Sequence, residues 1–261
     1  MDLKGITVII LFSVSSLTYA ANEPAAMQED KQHVANWNDF FKQLVKMHQW
    51  YLQHHSVREA SSSGGYATNP DFYREVSYFD RQTNRLLSRI RWAKETPQQI
   101  HMVEVFIYDG KGQLKRDYLA AYLPDFRNAP IQTLINLHNH NDKLHAFRQF
   151  DASGELIYEQ CRGQYFNEDI MLSIDEHEFA EYRDETGSDF ETYIACFEKL
   201  PKQAGQYLQP YQAELKQVAG RTVAAKRALD EFEDMDKYID KLSRQVVEAP
   251  NNVELYILRG D

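Results

Sequence analysis

The feature that most constrains this chain is a short turn device used three times. Tyr108-Asp109-Gly110-Lys111-Gly112-Gln113-Leu114 and Phe150-Asp151-Ala152-Ser153-Gly154-Glu155-Leu156 share one pattern: aromatic, Asp, two variable residues, Gly, one variable residue, Leu. Phe79-Asp80-Arg81-Gln82-Thr83-Asn84-Arg85-Leu86 repeats it with one extra residue and Asn in place of Gly. Asp opens such a turn by accepting backbone N–H bonds, and Gly112, Gly154 or Asn84 supplies the left-handed position. The aromatic and the Leu then flank the turn on two strands. Each copy is a hairpin, and a further hairpin is expected at Asn139 to Asp142. Successive hairpins predict an antiparallel meander. Turn chemistry accounts for Asp80, Asp109 and Asp151, so they read as structural rather than catalytic.

The rest of the pattern surrounds that meander. Val34, Trp37, Phe41, Leu44, His48 and Tyr51 recur at three- and four-residue steps, which predicts one amphipathic helix from about His33 to His55. Ser61-Ser62-Ser63-Gly64-Gly65 reads as a flexible linker ending it. Short apolar or alternating runs predict eight strands near 74–80, 85–93, 100–108, 113–123, 132–138, 144–150, 156–162 and 169–174. The run Ile100 to Tyr108 is apolar on both sides, which predicts helices covering one sheet face. After Asp175 the pattern turns helical. Ser188 or Asp189 is placed to cap a helix through Phe197, with another from Gln206 to Val218 and a long one from Thr222 to Val247.

Compartment is legible at the start. Residues 1–20 read MDLKGITVIILFSVSSLTYA: Lys4 as the positive region, Ile6 to Val14 as the apolar stretch, small residues at Thr18 and Ala20. That is the layout of a secretory signal cleaved near Ala20, and export to a bacterial periplasm is expected. An even pair of cysteines in an exported chain predicts a Cys161–Cys196 disulfide rather than two buried thiols. A net charge of −10 makes nucleic acid a poor partner, because phosphate binding needs a clustered cationic surface. No apolar run reaches the length of a transmembrane span.

The last dozen residues carry a different signal. In Pro250-Asn251-Asn252-Val253-Glu254-Leu255-Tyr256-Ile257-Leu258-Arg259-Gly260-Asp261, Pro250 closes a helix, and Tyr256 and Gly260 follow in a fixed register. This resembles the junction between two tetratricopeptide repeats. The whole layout is similar to exported bacterial proteins that join a β-rich N-terminal region of unknown function to such repeats. The resemblance implies a binding role, with a protein partner docking on the C-terminal helices, and it implies no catalytic residue. One repeat cannot bury its own face, so the motif implies that the repeat array continues past Asp261.

Little else points to chemistry. The densest histidine set is His138, His140 and His145. Together with Asp142 it offers three to four zinc or copper ligands in one turn, against the simpler reading of polar turn residues. His54 and His55 suit the end of a helix dipole. Arg89, Arg91, Arg116 and Arg148 recur on strands, either gripping an anion or forming the wet side of a half-exposed sheet. No nucleophile elbow or phosphate-cradling loop is present, and no cofactor is implied.

These readings combine into an α+β fold: an N-terminal helix, an antiparallel meander of seven or eight strands, and C-terminal helices leading into a repeat-like helical hairpin. Residues 1–20 are the signal, 21–65 the helix and linker, 66–186 the meander and 187–261 the helical part. The expected function is non-enzymatic, an exported protein-interaction or scaffold module. The alternatives are an envelope hydrolase acting on cell-wall glycan or peptide, and a small-ligand or metal-binding protein.

Overall fold

The structure, a computed structural model, describes residues 26–141, 143–187 and 189–214. The chain divides into two compact units, Met1–Tyr211 and Gln212–Asp261, and the architecture below is that of the first. It opens with helix α1, Lys31–His54. Asp30 caps it, its side chain accepting the His33 backbone N–H at 2.7 Å. The helix buries Trp37, Phe40, Leu44, Met47, His48 and Tyr51 on one stripe. Phe40 and Leu44 are at most 1% exposed, and burying side chains of this size stabilises by about 1.5–3 kcal/mol each. His55 ends the helix in an extended conformation.

Nine antiparallel strands follow, paired in sequence order: β1 (Val57–Tyr66), β2 (Asn69–Asp80), β3 (Leu86–Ala93), β4 (Ile100–Tyr108), β5 (Leu114–Ala121), β6 (Gln132–His140), β7 (Leu144–Phe150), β8 (Leu156–Tyr165) and β9 (Glu168–Asp175). Two short helices, α2 (Phe179–Tyr182) and α3 (Phe190–Phe197), and a 3₁₀ turn, Gly205–Leu208, complete the named elements.

Two parts of the expected fold are corrected. The first is the linker. Ser61 to Gly65 lie inside β1, which pairs residue by residue with β2 from Val57 opposite Asp80 to Gly64 opposite Tyr73. Its serines are exposed edge-strand positions, which hides the strand from any apolar pattern. Gly64 is there for close approach: a Cβ on it would sit 2.7 Å from the Tyr73 hydroxyl.

The second is the C-terminal half. The described protein is dominated by the nine-stranded sheet, with only a few short helices after it. Where a helix from Gln206 was expected, the described residues form the 3₁₀ turn and a short helical run at 210–214. The Thr222–Val247 helix and Pro250, Tyr256 and Gly260 lie outside the described residues, and the repeat-like hairpin is not shown. The physical reason is that hairpins propagate the sheet through nine strands, and helices are needed only to cover one of its faces.

That face is sealed by α1 against β3, β4 and β5, and by α3 against β7 and β8. Strand alternation sends Val76, Ile90, Val103, Val105, Tyr118 and Ile135 into this core. A buried ion pair, Arg148 with Glu159, is also on this side. Arg148 donates to the Leu200 carbonyl at 2.7 Å, and the Tyr193 hydroxyl reaches Glu159 at 3.1 Å. The Cys161–Cys196 disulfide joins β8 to α3 beside them.

Candidate metal centre

On a strand, residues two apart share a face. His138 and His140 therefore project together from the end of β6, on the face turned away from α1. His145 stands directly opposite His140 in the β6–β7 register. One ring nitrogen from each of the three lies within 4.8 Å of the other two. The His140 and His145 rings stack, with centroids 4.2 Å apart and planes 5° from parallel. His138 Nδ1 and His145 Nε2 face each other at 3.2 Å.

Two of the other ring nitrogens are engaged by oxygen acceptors. His138 Nε2 lies 2.5 Å from Asp117 Oδ1. His140 Nε2 donates to the Leu114 carbonyl at 2.8 Å, and a carbonyl can only accept, so the proton of His140 sits there. A carboxylate on His138 likewise holds its proton on Nε2. Both rings thus turn an unprotonated Nδ1 away from the acceptor. This is the arrangement that orients metal-binding imidazoles, in which the second nitrogen donates to a carboxylate or backbone carbonyl. The Asp117 side chain is itself fixed, because Asn136 Nδ2 donates to its Oδ2 at 2.7 Å and Gln149 Nε2 donates to Asn136 Oδ1 at 2.8 Å.

The electrostatics favour a neutral His145 ring. Burial, then the neighbouring His140, His138 and Arg162, lower the His145 pKa to about 4. A neutral imidazole is the form that ligates metal. The edge of a tetrahedral zinc site with bonds of about 2.0–2.1 Å is about 3.3 Å. The His138–His145 separation is close to that edge; with His138 Nδ1 unprotonated, His145 Nε2 donates to it here, and a metal would take the place of that proton.

The other residues singled out by the sequence fall into place around this. Asp109 Oδ1 accepts from Lys111 and Gln113 backbone N–H, each at 2.9 Å, with Gly112 at φ +88°. Asp151 Oδ1 accepts from Ser153 and Glu155, each at 2.9 Å, with Gly154 at φ +92°. Asp80 Oδ1 accepts from Gln82 at 2.9 Å and Thr83 at 2.7 Å, with Asn84 at φ +55°. The β6–β7 turn uses Asn141, whose Oδ1 accepts from Lys143 and Leu144. Asp142 lies outside the described residues.

The four arginines do not share a face. Arg116 and Arg148 are 2% exposed on the side of α1, while Arg89 and Arg91 lie on the opposite face, tied to Glu104 and Glu75. Both a single anion-gripping row and a shared wet side are therefore corrected: alternation and register send the two pairs to opposite sides of the sheet, Arg116 and Arg148 being buried.

Sequence reasoning missed Asp117. Its signal was there to find, because Asp is depleted in strand interiors and Asp117 sits mid-strand in β5.

Compared with protein-family models, with curated proteins and with solved structures, the chain matches none. The disulfide fits an exported protein. Among the described residues no helix is long and apolar enough to cross a membrane.

Proposed function

We propose that this is an exported metal-binding protein. Its centre is the triad His138, His140 and His145, with Asp117 as the carboxylate that orients His138, and its ion is a borderline divalent metal, zinc or copper. The observation that supports this most is the division of labour within the rings: two of the three commit one nitrogen to an oxygen acceptor, and all three offer a ligand atom within 4.8 Å of one another. Three imidazoles suit zinc, copper and nickel over the oxygen-seeking magnesium or calcium. The role is one of binding rather than turnover. The N-terminal sequence and the disulfide support a periplasmic setting after cleavage near Ala20.

The test is metal titration of the purified, chelator-stripped protein with Zn²⁺ against a competing indicator. One equivalent should bind, and His138→Ala with His145→Ala should abolish it while the melting temperature in chelator stays near that of the parent. Absence of stoichiometric binding, or binding that survives the double substitution, would overturn the reading.

A further inference from the structure

A second site lies on the same sheet face, toward the opposite ends of β5 and β6. It is a cleft of about 250 Å³. Met102, Leu119, Ala121 and Leu123 give it an apolar floor, and Tyr66 and Arg91 stand at its polar side.

Arg91 is fixed without being saturated. Its Nε donates to Glu75 at 2.7 Å, and its guanidinium lies 4.5 Å over the Tyr73 ring. Among the described residues its two terminal nitrogens have no acceptor. A guanidinium held by Nε alone offers those two nitrogens as a fork of parallel donors, the geometry that matches a carboxylate.

Tyr66 offers a third donor, and the reason is a chain of obligations. Arg127 Nη1 lies 3.2 Å from His101 Nδ1, and an arginine can only donate. His101 Nδ1 is therefore the acceptor, and the ring proton is on Nε2. That nitrogen is hydrogen-bonded to the Tyr66 hydroxyl, so the hydroxyl oxygen accepts. The hydroxyl hydrogen of Tyr66 is left to find another acceptor, and the described residues supply none. Burial, then Arg127 and Arg91, lower the His101 pKa to about 4, so the ring stays neutral and the chain of donors keeps its direction.

We propose that this cleft binds a small monoanionic carboxylate with an apolar body. The carboxylate takes the terminal nitrogens of Arg91 and the hydroxyl of Tyr66, and the body lies on Met102, Leu119 and Leu123. The volume is below the range of drug-sized pockets, which fits a ligand of roughly ten heavy atoms. The site uses none of the three histidines of the metal centre and stands or falls separately from it.

Octanoate is the probe, titrated calorimetrically into the full chain with EDTA present so that no metal contributes. Octylamine and octan-1-ol serve as controls of equal apolar length. Octanoate should bind one to one and the two controls at least tenfold more weakly. Tyr66→Phe should weaken octanoate about tenfold, in line with loss of one hydrogen bond to a charged group. Arg91→Gln should weaken it further, and Glu75 keeps Arg89 as a partner in that variant. If octanoate fails to bind, binds no better than octylamine, or binds both variants like the parent, the proposal is wrong. Should Arg91→Gln lower the melting temperature, Tyr66→Phe alone carries the decision.

Discussion

Asp117 and His138 meet across neighbouring strands at 2.5 Å, on a sheet face that no described helix covers. The carboxylate decides which nitrogen of His138 carries the proton, and so which is left for a metal. Asp117→Asn keeps an oxygen for Asn136 but loses the charge. Zinc affinity should fall about 10–100-fold, the usual cost of losing such a partner, with little change in melting temperature in chelator. Competition titration beside thermal melting separates the two effects.

The ion pair of Arg148 and Glu159 should behave oppositely, with a large effect on stability and little on metal. Glu159 is fully buried, and Arg148 is 2% exposed. Glu159→Leu strands a buried guanidinium and should cost about 3–5 kcal/mol. Arg148→Met combined with Glu159→Leu should recover much of that loss. Urea unfolding of the three proteins measures it, and a double variant no better than the single would contradict the account.

Acid should destabilise the fold between about pH 6.5 and 4. Burial lowers the pKa of His48 to about 4, and burial with Arg127 and Arg91 does the same for His101. The unfolded chain takes up these protons below about pH 6.5 while the folded chain refuses them until about 4. Stability is therefore complete above the unfolded value and is lost as the pH falls through this window. Melting temperatures across a buffer series should show the decline in chelator. His48→Gln, which keeps a polar partner for Ser88, should flatten the slope.

Removing the disulfide through Cys161→Ser and Cys196→Ser should destabilise by about 3–4 kcal/mol, the chain-entropy value for a loop of this size. The bond holds α3 to β8 on the covered face. Zinc titration of the double variant should therefore match the parent. A loss of affinity together with stability would mean that the two faces are coupled.

The meander was readable because its turns are chemically explicit: Asp109 with Gly112, and Asp151 with Gly154, each mark a hairpin without help from the strands. β1 was not readable, because an edge strand of serines and glycines has no apolar face to show. A turn at Asn139 to Asp142 would set His138 opposite His145; the β6–β7 register instead pairs His145 with His140. Asp117 could not be attached to His138, since that needs the β5–β6 register, which depends on the length of the loop between Tyr122 and Ile131. The Tyr66, His101 and Arg127 chain was equally hidden, because it joins three separate segments through tertiary contacts alone. At the C-terminal end, a helical period suggested a helix from Gln206, whereas the described chain there takes up a 3₁₀ turn.

The strand order, with every strand beside its predecessor, also bears on how the molecule reaches its native state. Sheets are slow to form when distant segments must find each other, since loop closure costs entropy before any contact rewards it. Here each new strand closes on the one just formed, through a connection of about ten residues or fewer. The sheet can grow in register from either end by adding one hairpin arm at a time. The far-reaching closures are then few: α1 lying down across β3 to β5, and α3 being fastened to β7 and β8. Chain assembly is in this sense closer to a repeat protein than to a Greek-key sandwich, although its repeating unit is a turn rather than a helix pair.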